Sequence, residues 1–196
     1  MLDLFSIPML KENINLNPDD YYNQIVNLRN SRGSERFEYT SFYDQDTMAG
    51  MQWEELRREI ELAAIRYMTD VCPTNNNPGT PKVIAWWNLY GEQNHHCWHD
   101  HSGHDLAGTY YVHMDEHTPG IEFSSPLAPL INASIAQFGV NTRFRQTCHI
   151  QPSPGELLIW PSWLSHMIPE QKTFGDKLRC TISFNIRLEK DLNNEK

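Results

Sequence analysis

A chain of 196 residues, 39% of them hydrophobic, is long enough for one domain with its own core. Its formal net charge of −9 argues against a nucleic-acid-binding surface, which needs a concentrated basic face to neutralise phosphates. The four cysteines (Cys72, Cys97, Cys148, Cys180) form no CxxC pair and are too sparse for a disulfide scaffold, so they read as reduced thiols.

In chain order, Leu2 to Ile7 alternates apolar and polar residues for part of its length, which predicts an edge strand closed by Pro8. The start MLDLFSIPML lacks a basic region and a small-residue cleavage site, and no apolar run is long enough to cross a bilayer. With the reduced thiols, this gives the expectation of a cytoplasmic protein without membrane attachment. Asn17-Pro18-Asp19-Asp20 carries the marks of a helix start, and a short helix is expected through about Leu28, ended by Asn30-Ser31-Arg32-Gly33. Trp53, Leu56, Ile60, Ala63, Ala64 and Tyr67 recur at three- and four-residue intervals, while Glu54, Glu55, Arg57, Arg58 and Glu61 take the other side: a second helix with one core face.

The loop-like stretch from Cys72 to Gly79 divides a helical support region (residues 1–80) from a β-rich core (residues 81–188) within one domain spanning 1–196. Strands are expected at Lys82 to Tyr90, about His99 to His101, Gly108 to His113, Ile121 to Phe123, Thr147 to Gln151, Glu156 to Trp160, Ser165 to Ile168 and Leu178 to Leu188. Many short strands between turns favour an antiparallel sandwich or barrel with flanking helices. The polar tail from Glu189 to Lys196 is expected to fray.

Five of the nine histidines fall between residues 95 and 104. A strand sends residues i and i+2 to one face, so His99 and His101 can address one ion while Asp100 points away, and His166 can complete a three-histidine set with an open side. Solvated positions suit His95, His96 and His104 better. A structural zinc site recruiting Cys97 lacks a nearby second thiol. The pair His113 and Asp115 satisfies a His-x-Asp pattern but follows the Gly108 strand instead of preceding it. In the last strand Arg179, Thr181, Ser183 and Asn185 alternate with Cys180, Ile182, Phe184 and Ile186. Its polar face either meets solvent or, in a barrel, turns inward, where the planar fork of Arg179 suits a carboxylate.

Together, Trp86-Trp87-Asn88-Leu89-Tyr90, His99-Asp100-His101, Ala107-Gly108-Thr109-Tyr110-Tyr111, Pro161-Ser162-Trp163-Leu164-Ser165-His166 and Arg179-Cys180-Thr181-Ile182-Ser183-Phe184-Asn185 resemble, in order and spacing, the Fe(II)- and 2-oxoglutarate-dependent oxygenases, among them the prolyl-hydroxylase-like enzymes. The resemblance covers residues 83 to 187. It implies a double-stranded β-helix (a cupin-like jelly roll) and a dioxygenase that consumes O2 and 2-oxoglutarate, releases succinate and CO2, and hydroxylates a C–H bond of a small metabolite or a peptide residue. By position, His99, His101 and His166 would take Fe(II) and Arg179 would take the cosubstrate carboxylate. Thr181, Ser183, Asn88 and Tyr90 would assist, and Trp98, Tyr110 and Trp163 are candidates for a substrate wall. His101 stands where the superfamily usually has a carboxylate, so the three imidazoles leave the metal its full charge for the dianionic cosubstrate to offset. Two other readings stay open: a three-histidine cupin-type dioxygenase without 2-oxoglutarate, and a metal-stabilised binding module. The sequence carries no signature of an oligomeric state.

Overall fold

The computed structural model describes residues 6–31, 39–71, 79–129, 146–171 and 177–189. Among these the first strand is β1 (Leu10–Asn13), beyond Pro8; of the stretch from Leu2 to Ile7, residues 2–5 lie outside the described set and residues 6–7 are not in a strand. β1 runs antiparallel on β7 (Glu156–Pro161), pairing Leu10 with Ile159 and Asn13 with Glu156. Its outward charges are matched, Lys11 to Glu156 at 2.9 Å and Glu12 to Arg66. Charged side chains on an edge strand discourage further pairing. The loop expected from Cys72 falls largely on residues 72–78, and the polar tail on 190–196, both outside the described residues.

Helix α1 (Pro18–Ser31) starts where the cap predicts: the Asn17 side-chain oxygen accepts the Asp19 N–H at 3.3 Å. It continues three residues past Leu28. Helix α2 (Glu54–Val71) begins one residue after Trp53, whose carbonyl accepts the Arg57 N–H at 2.8 Å. Its buried face is Leu56, Ile60, Ala63, Ala64 and Tyr67, the periodic set less Trp53.

The remaining strands are β2 (Thr80–Tyr90), β3 (His96–His99), β4 (Leu106–His113), β5 (Ile121–Ser124), β6 (Thr147–Ile150), β8 (His166–Ile168) and β9 (Arg179–Glu189). They form a five-stranded sheet in the order β1-β7-β4-β9-β2 and a four-stranded sheet in the order β3-β8-β5-β6. Every pairing is antiparallel. Two facing sheets with this order make a double-stranded β-helix, with both helices packed on the outer face of the larger sheet.

Strand alternation separates two cores. Trp87, Leu89, Tyr110, Leu157, Ile159, Ile182, Phe184 and Ile186 face the helices and pack with Leu56, Ile60 and Ala64. Each such aliphatic side chain contributes about 1.5–3 kcal/mol relative to exposure. Ala107, Tyr111, Leu158 and Trp160 face the other way and meet Ile121, Phe123 and Leu164. Gly108 is required by the first core, because a Cβ there would run into the Phe184 ring and lie 2.5 Å from the Leu158 carbonyl oxygen. The outer edge of β2 is covered by residues 39–41: Ser41 N–H donates to Trp87 O at 3.1 Å and Leu89 N–H to Tyr39 O at 2.7 Å. The apolar inter-sheet core stops short of one end of the barrel, and polar side chains line the cleft that remains there.

Candidate metal centre and adjoining cleft

β9 has no solvated face along its polar stretch. Helices cover one side and the second sheet the other, so its polar residues Arg179, Thr181 and Asn185 are buried, with Ser183 partly so. Across β2, Tyr90 pairs with Arg179, Asn88 with Thr181 and Trp86 with Ser183. This inward polar strip forms the floor of the cleft, and three histidines stand over it.

His99 ends β3 and His166 opens β8, and the two are direct partners across the strands. On its other side His166 pairs with Phe123 of β5. His101 lies two residues past the end of β3, not on a continuous strand, and the register of β3 already slips between His96 and His99. Its backbone N–H donates to Ser162 O at 2.9 Å, and the turn continues through Asp100, whose Oδ1 accepts the Ser102 N–H at 2.9 Å. One ligand atom from each of His99, His101 and His166 lies within 4.8 Å of the others, the geometry needed to hold one ion.

The imidazoles are prepared for that role. The Nδ1–H of His99 donates to Cys97 O at 2.8 Å and that of His166 to Leu164 O at 2.9 Å. A carbonyl can only accept, so Nδ1 carries the proton and Nε2 keeps its lone pair for a metal. Burial pushes the pKa of His166 down to about 3 and that of His101 to about 4, and lowers that of His99. All three are neutral near pH 7, so no proton competes with a cation. Trp160 and Phe123 pack their rings 5.0 and 5.8 Å from the His166 ring and close the inner side. His96 stacks on His99 at 3.9 Å between centroids but does not belong to the ligating set. The rival His113 lies beside a bulge in β4 and rests 5.4 Å from Tyr22 of α1, away from the triad.

Arg179 is fully buried beneath the histidines. Its guanidinium lies 4.9 Å from the centroid of the Tyr90 ring, and its Nε contacts Met114 Sδ at 3.2 Å. No carboxylate pairs with it among the described residues, and its Nη1 is buried without a hydrogen-bond partner. Burial lowers its pKa while Tyr90 and Tyr111 oppose the shift, which places both phenols in its field. The Tyr111 hydroxyl is also buried and unpartnered. A buried unpaired cation is costly, so these orphaned donors fit an acidic group from outside the chain.

Asn88 is committed elsewhere. Its Oδ1 accepts from Thr40 Oγ1 at 2.8 Å, and its Nδ2 donates to Ser183 Oγ at 3.1 Å and Thr181 Oγ1 at 3.4 Å. It ties the 39–41 segment to the floor. The structure does not bring the three aromatic wall candidates to the cleft. Tyr110 faces the helices and meets Tyr21 at 5.9 Å, because its neighbour Tyr111 takes the inward position. Trp98 and Trp163 are 43% and 52% exposed and line neither the cleft nor the vestibule outside it. That vestibule is instead walled by Tyr39, Phe42, Tyr43 and Trp86. Sequence reasoning named none of the four as a wall; the aromatic density of residues 39 to 43 was the available signal for the first three.

A family described as "Putative 2OG-Fe(II) oxygenase" matches residues 84–185. Among solved structures, a Pseudomonas putida prolyl-4-hydroxylase aligns at 12% identity with a TM-score of 0.55, over 94% of this chain and 90% of that one. AviO1 from Streptomyces viridochromogenes aligns at 10% identity and a TM-score of 0.60, over 92% and 90%. HygX from Streptomyces hygroscopicus, with nickel and 2-oxoglutarate bound, aligns at 12% and 0.59, over 91% and 82%. At these identities the likeness is one of fold. No curated protein matches the sequence.

Proposed function

Since the chain belongs to the 2OG-Fe(II) oxygenase family, whose match spans more than half of it, we propose that it is a dioxygenase that hydroxylates a C–H bond of a small molecule or peptide residue, with His99, His101 and His166 holding iron and Arg179 holding the far carboxylate of 2-oxoglutarate. The observation that carries this reading is the buried Arg179 with an unpartnered Nη1, on the inward face of β9 below three neutral imidazoles. Enzymes of this family use Fe(II), 2-oxoglutarate and O2. When bound, these supply the oxidising power, as decarboxylation of the 2-oxo acid to succinate and CO2 accompanies oxygen insertion into the substrate.

The chain's own residues bind, orient and shield. The Nδ1 bonds to Cys97 and Leu164 fix two imidazole planes so that Nε2 faces the ion. Arg179 fixes the depth and direction of the dianion, with Tyr111 as a second donor beside it. Thr181 and Ser183, oriented by Asn88, line the floor between. Ile121, Trp160 and Ile168 limit water at the inner side. Residues 81–188 act as the catalytic barrel, and residues 1–80 do more than support it within the one domain: besides two helices they supply the edge strand β1 and the vestibule segment at residues 39–43. No helix among the described residues is long and apolar enough to cross a membrane.

Anaerobic addition of Fe(II) and 2-oxoglutarate tests the reading. A weak visible charge-transfer band is expected with both present and not with either alone, and admission of O2 should release succinate. Oxygen consumption that needs no 2-oxo acid would instead mark a dioxygenase binding its substrate directly to iron. Inertness, with metal only raising the melting temperature, would mark a binding module.

A further inference from the structure

We propose that the vestibule outside the metal centre is the substrate subsite and that it takes an organic cation, an ammonium or guanidinium group on an aliphatic chain. This rests on the oxygenase reading and sharpens it to a substrate class. The vestibule is a 190 Å³ cavity that shares His99, His101, Trp86, Asn88 and Tyr90 with the inner cleft. A group lodged in it therefore sits beside the metal-facing imidazoles. Its volume is below that of a drug-sized pocket and suits one side chain or head group.

The outer wall is a set of rings at steep angles. Phe42 stands at 88° to Tyr43, 5.2 Å between centroids, and at 69° to Trp86, 5.0 Å away. These rings, with Tyr39, line the cavity at differing inclinations, and any ring face turned to it carries the negative lobe of its quadrupole. Phe42 and Tyr43 are 49% and 63% exposed, so neither ring is closed off from a group arriving from solvent. Nor are they the tip of a loose loop. Tyr39 and Ser41 bond the β2 backbone on both sides of Thr40, which is itself hydrogen-bonded to Asn88.

Charge selects among the groups that would fill such a cavity. Among the described residues Asp100 is the one carboxylate lining the vestibule, and no lysine or arginine lines it. Arg179 lines only the inner cleft, on the far side of the histidines. An anion would meet Asp100 and the ring faces with the imidazoles of His95 and His96 to offer it a hydrogen bond but no lysine or arginine to pair with, and a neutral alkyl group would gain only contact area. A cation gains from both. The net charge of −9 raises its local concentration further.

The test uses Mn(II) in place of iron with 2-oxoglutarate present, and reads proton relaxation of small probes by the bound paramagnetic ion. Tetramethylammonium, tert-butanol and pivalate are compared as cationic, neutral and anionic probes of similar bulk. Tetramethylammonium is expected to relax at least tenfold more than either of the others. Phe42→Leu and Tyr43→Leu, which keep bulk and remove the ring, should cut that excess several-fold, as should Asp100→Asn. With the native enzyme, Nα-acetyl-lysine amide should raise succinate release at least tenfold over Nα-acetyl-norleucine amide. Mn(II) retained with all three probes relaxed alike would overturn the cation assignment and leave the oxygenase reading intact. Failure to retain Mn(II) at all would overturn both. An unchanged probe ratio in the Asp100 variant, with the ring variants affected, would remove the carboxylate from the proposal.

Discussion

Replacing Arg179 by methionine separates the role proposed for this residue toward the cosubstrate from what it costs the fold. In the protein alone the guanidinium is buried with Nη1 unpartnered and with no opposing carboxylate among the described residues. Its compensation is the Tyr90 ring at 4.9 Å and the Met114 sulfur at 3.2 Å. A cation–π contact returns about 0.5–2 kcal/mol, less than the several kcal/mol that desolvating an ion requires. The metal-free Arg179→Met variant should therefore be more stable than the parent by roughly 1 kcal/mol or more, a rise of at least about 2–4 °C in melting temperature for a chain of this length. Binding of 2-oxoglutarate should move the other way. Losing one partner of a buried charge pair costs about 3–5 kcal/mol, or about 150- to 4,000-fold in affinity. Iron affinity should stay within a few-fold, because Arg179 is not among the ligating residues. Thermal unfolding of the metal-free protein and anaerobic titration of the Fe(II) protein with 2-oxoglutarate read the two effects separately. A lower melting temperature with undiminished 2-oxoglutarate affinity, or equal losses of iron and cosubstrate, would refute the assignment of Arg179 as an anion clamp.

Four further outcomes follow from named contacts. Gly108→Ala places a Cβ against the Phe184 ring and the Leu158 carbonyl, and thermal unfolding should show a loss of about 1–3 kcal/mol from overpacking. Asn88→Ala strands the hydroxyl of Thr40 and unties residues 39–41 from the floor. It should cost about 1–3 kcal/mol and speed amide exchange at Ser41 and Leu89, whereas unchanged exchange would deny the tether. Tyr110→Phe removes a buried hydroxyl that has no partner and should leave succinate release unaltered while raising stability by about 1 kcal/mol. Tyr111→Phe should instead weaken 2-oxoglutarate about tenfold.

The sequence was most informative where chemistry and periodicity coincide. Two histidines two residues apart signal a shared target, and the structure brings them together with His166, although the strand ends at His99 and a turn carries His101. The alternation in β9 was visible but ambiguous, since a polar face looks alike whether it meets water or a cleft. What decides is the second layer: helices bury one side of β9 and a second sheet the other, and neither contact is local in sequence. The adjacent pair Tyr110 and Tyr111 shows the same limit, because parity tells that they face opposite ways but not which faces inward. That parity is set by the register of β4 against β9, where Gly108 lies opposite Phe184. The edge strand β1 was not legible in the alternation read from Leu2 to Ile7, which is short and local. The actual edge strand is defined by a partner far along the chain, where Leu10 meets Ile159 only through the fold. The vestibule wall was hidden for a related reason, as residues 39–43 have no period and acquire their place by pairing with β2.

The central claim is that three imidazoles, with His101 among them, hold the iron. X-ray absorption at the iron edge of the Fe(II) protein with 2-oxoglutarate counts imidazole rings through their outer-shell scattering. Three rings are expected in the parent and two in His101→Ala. Two rings in the parent, unchanged by His101→Ala, would contradict the triad.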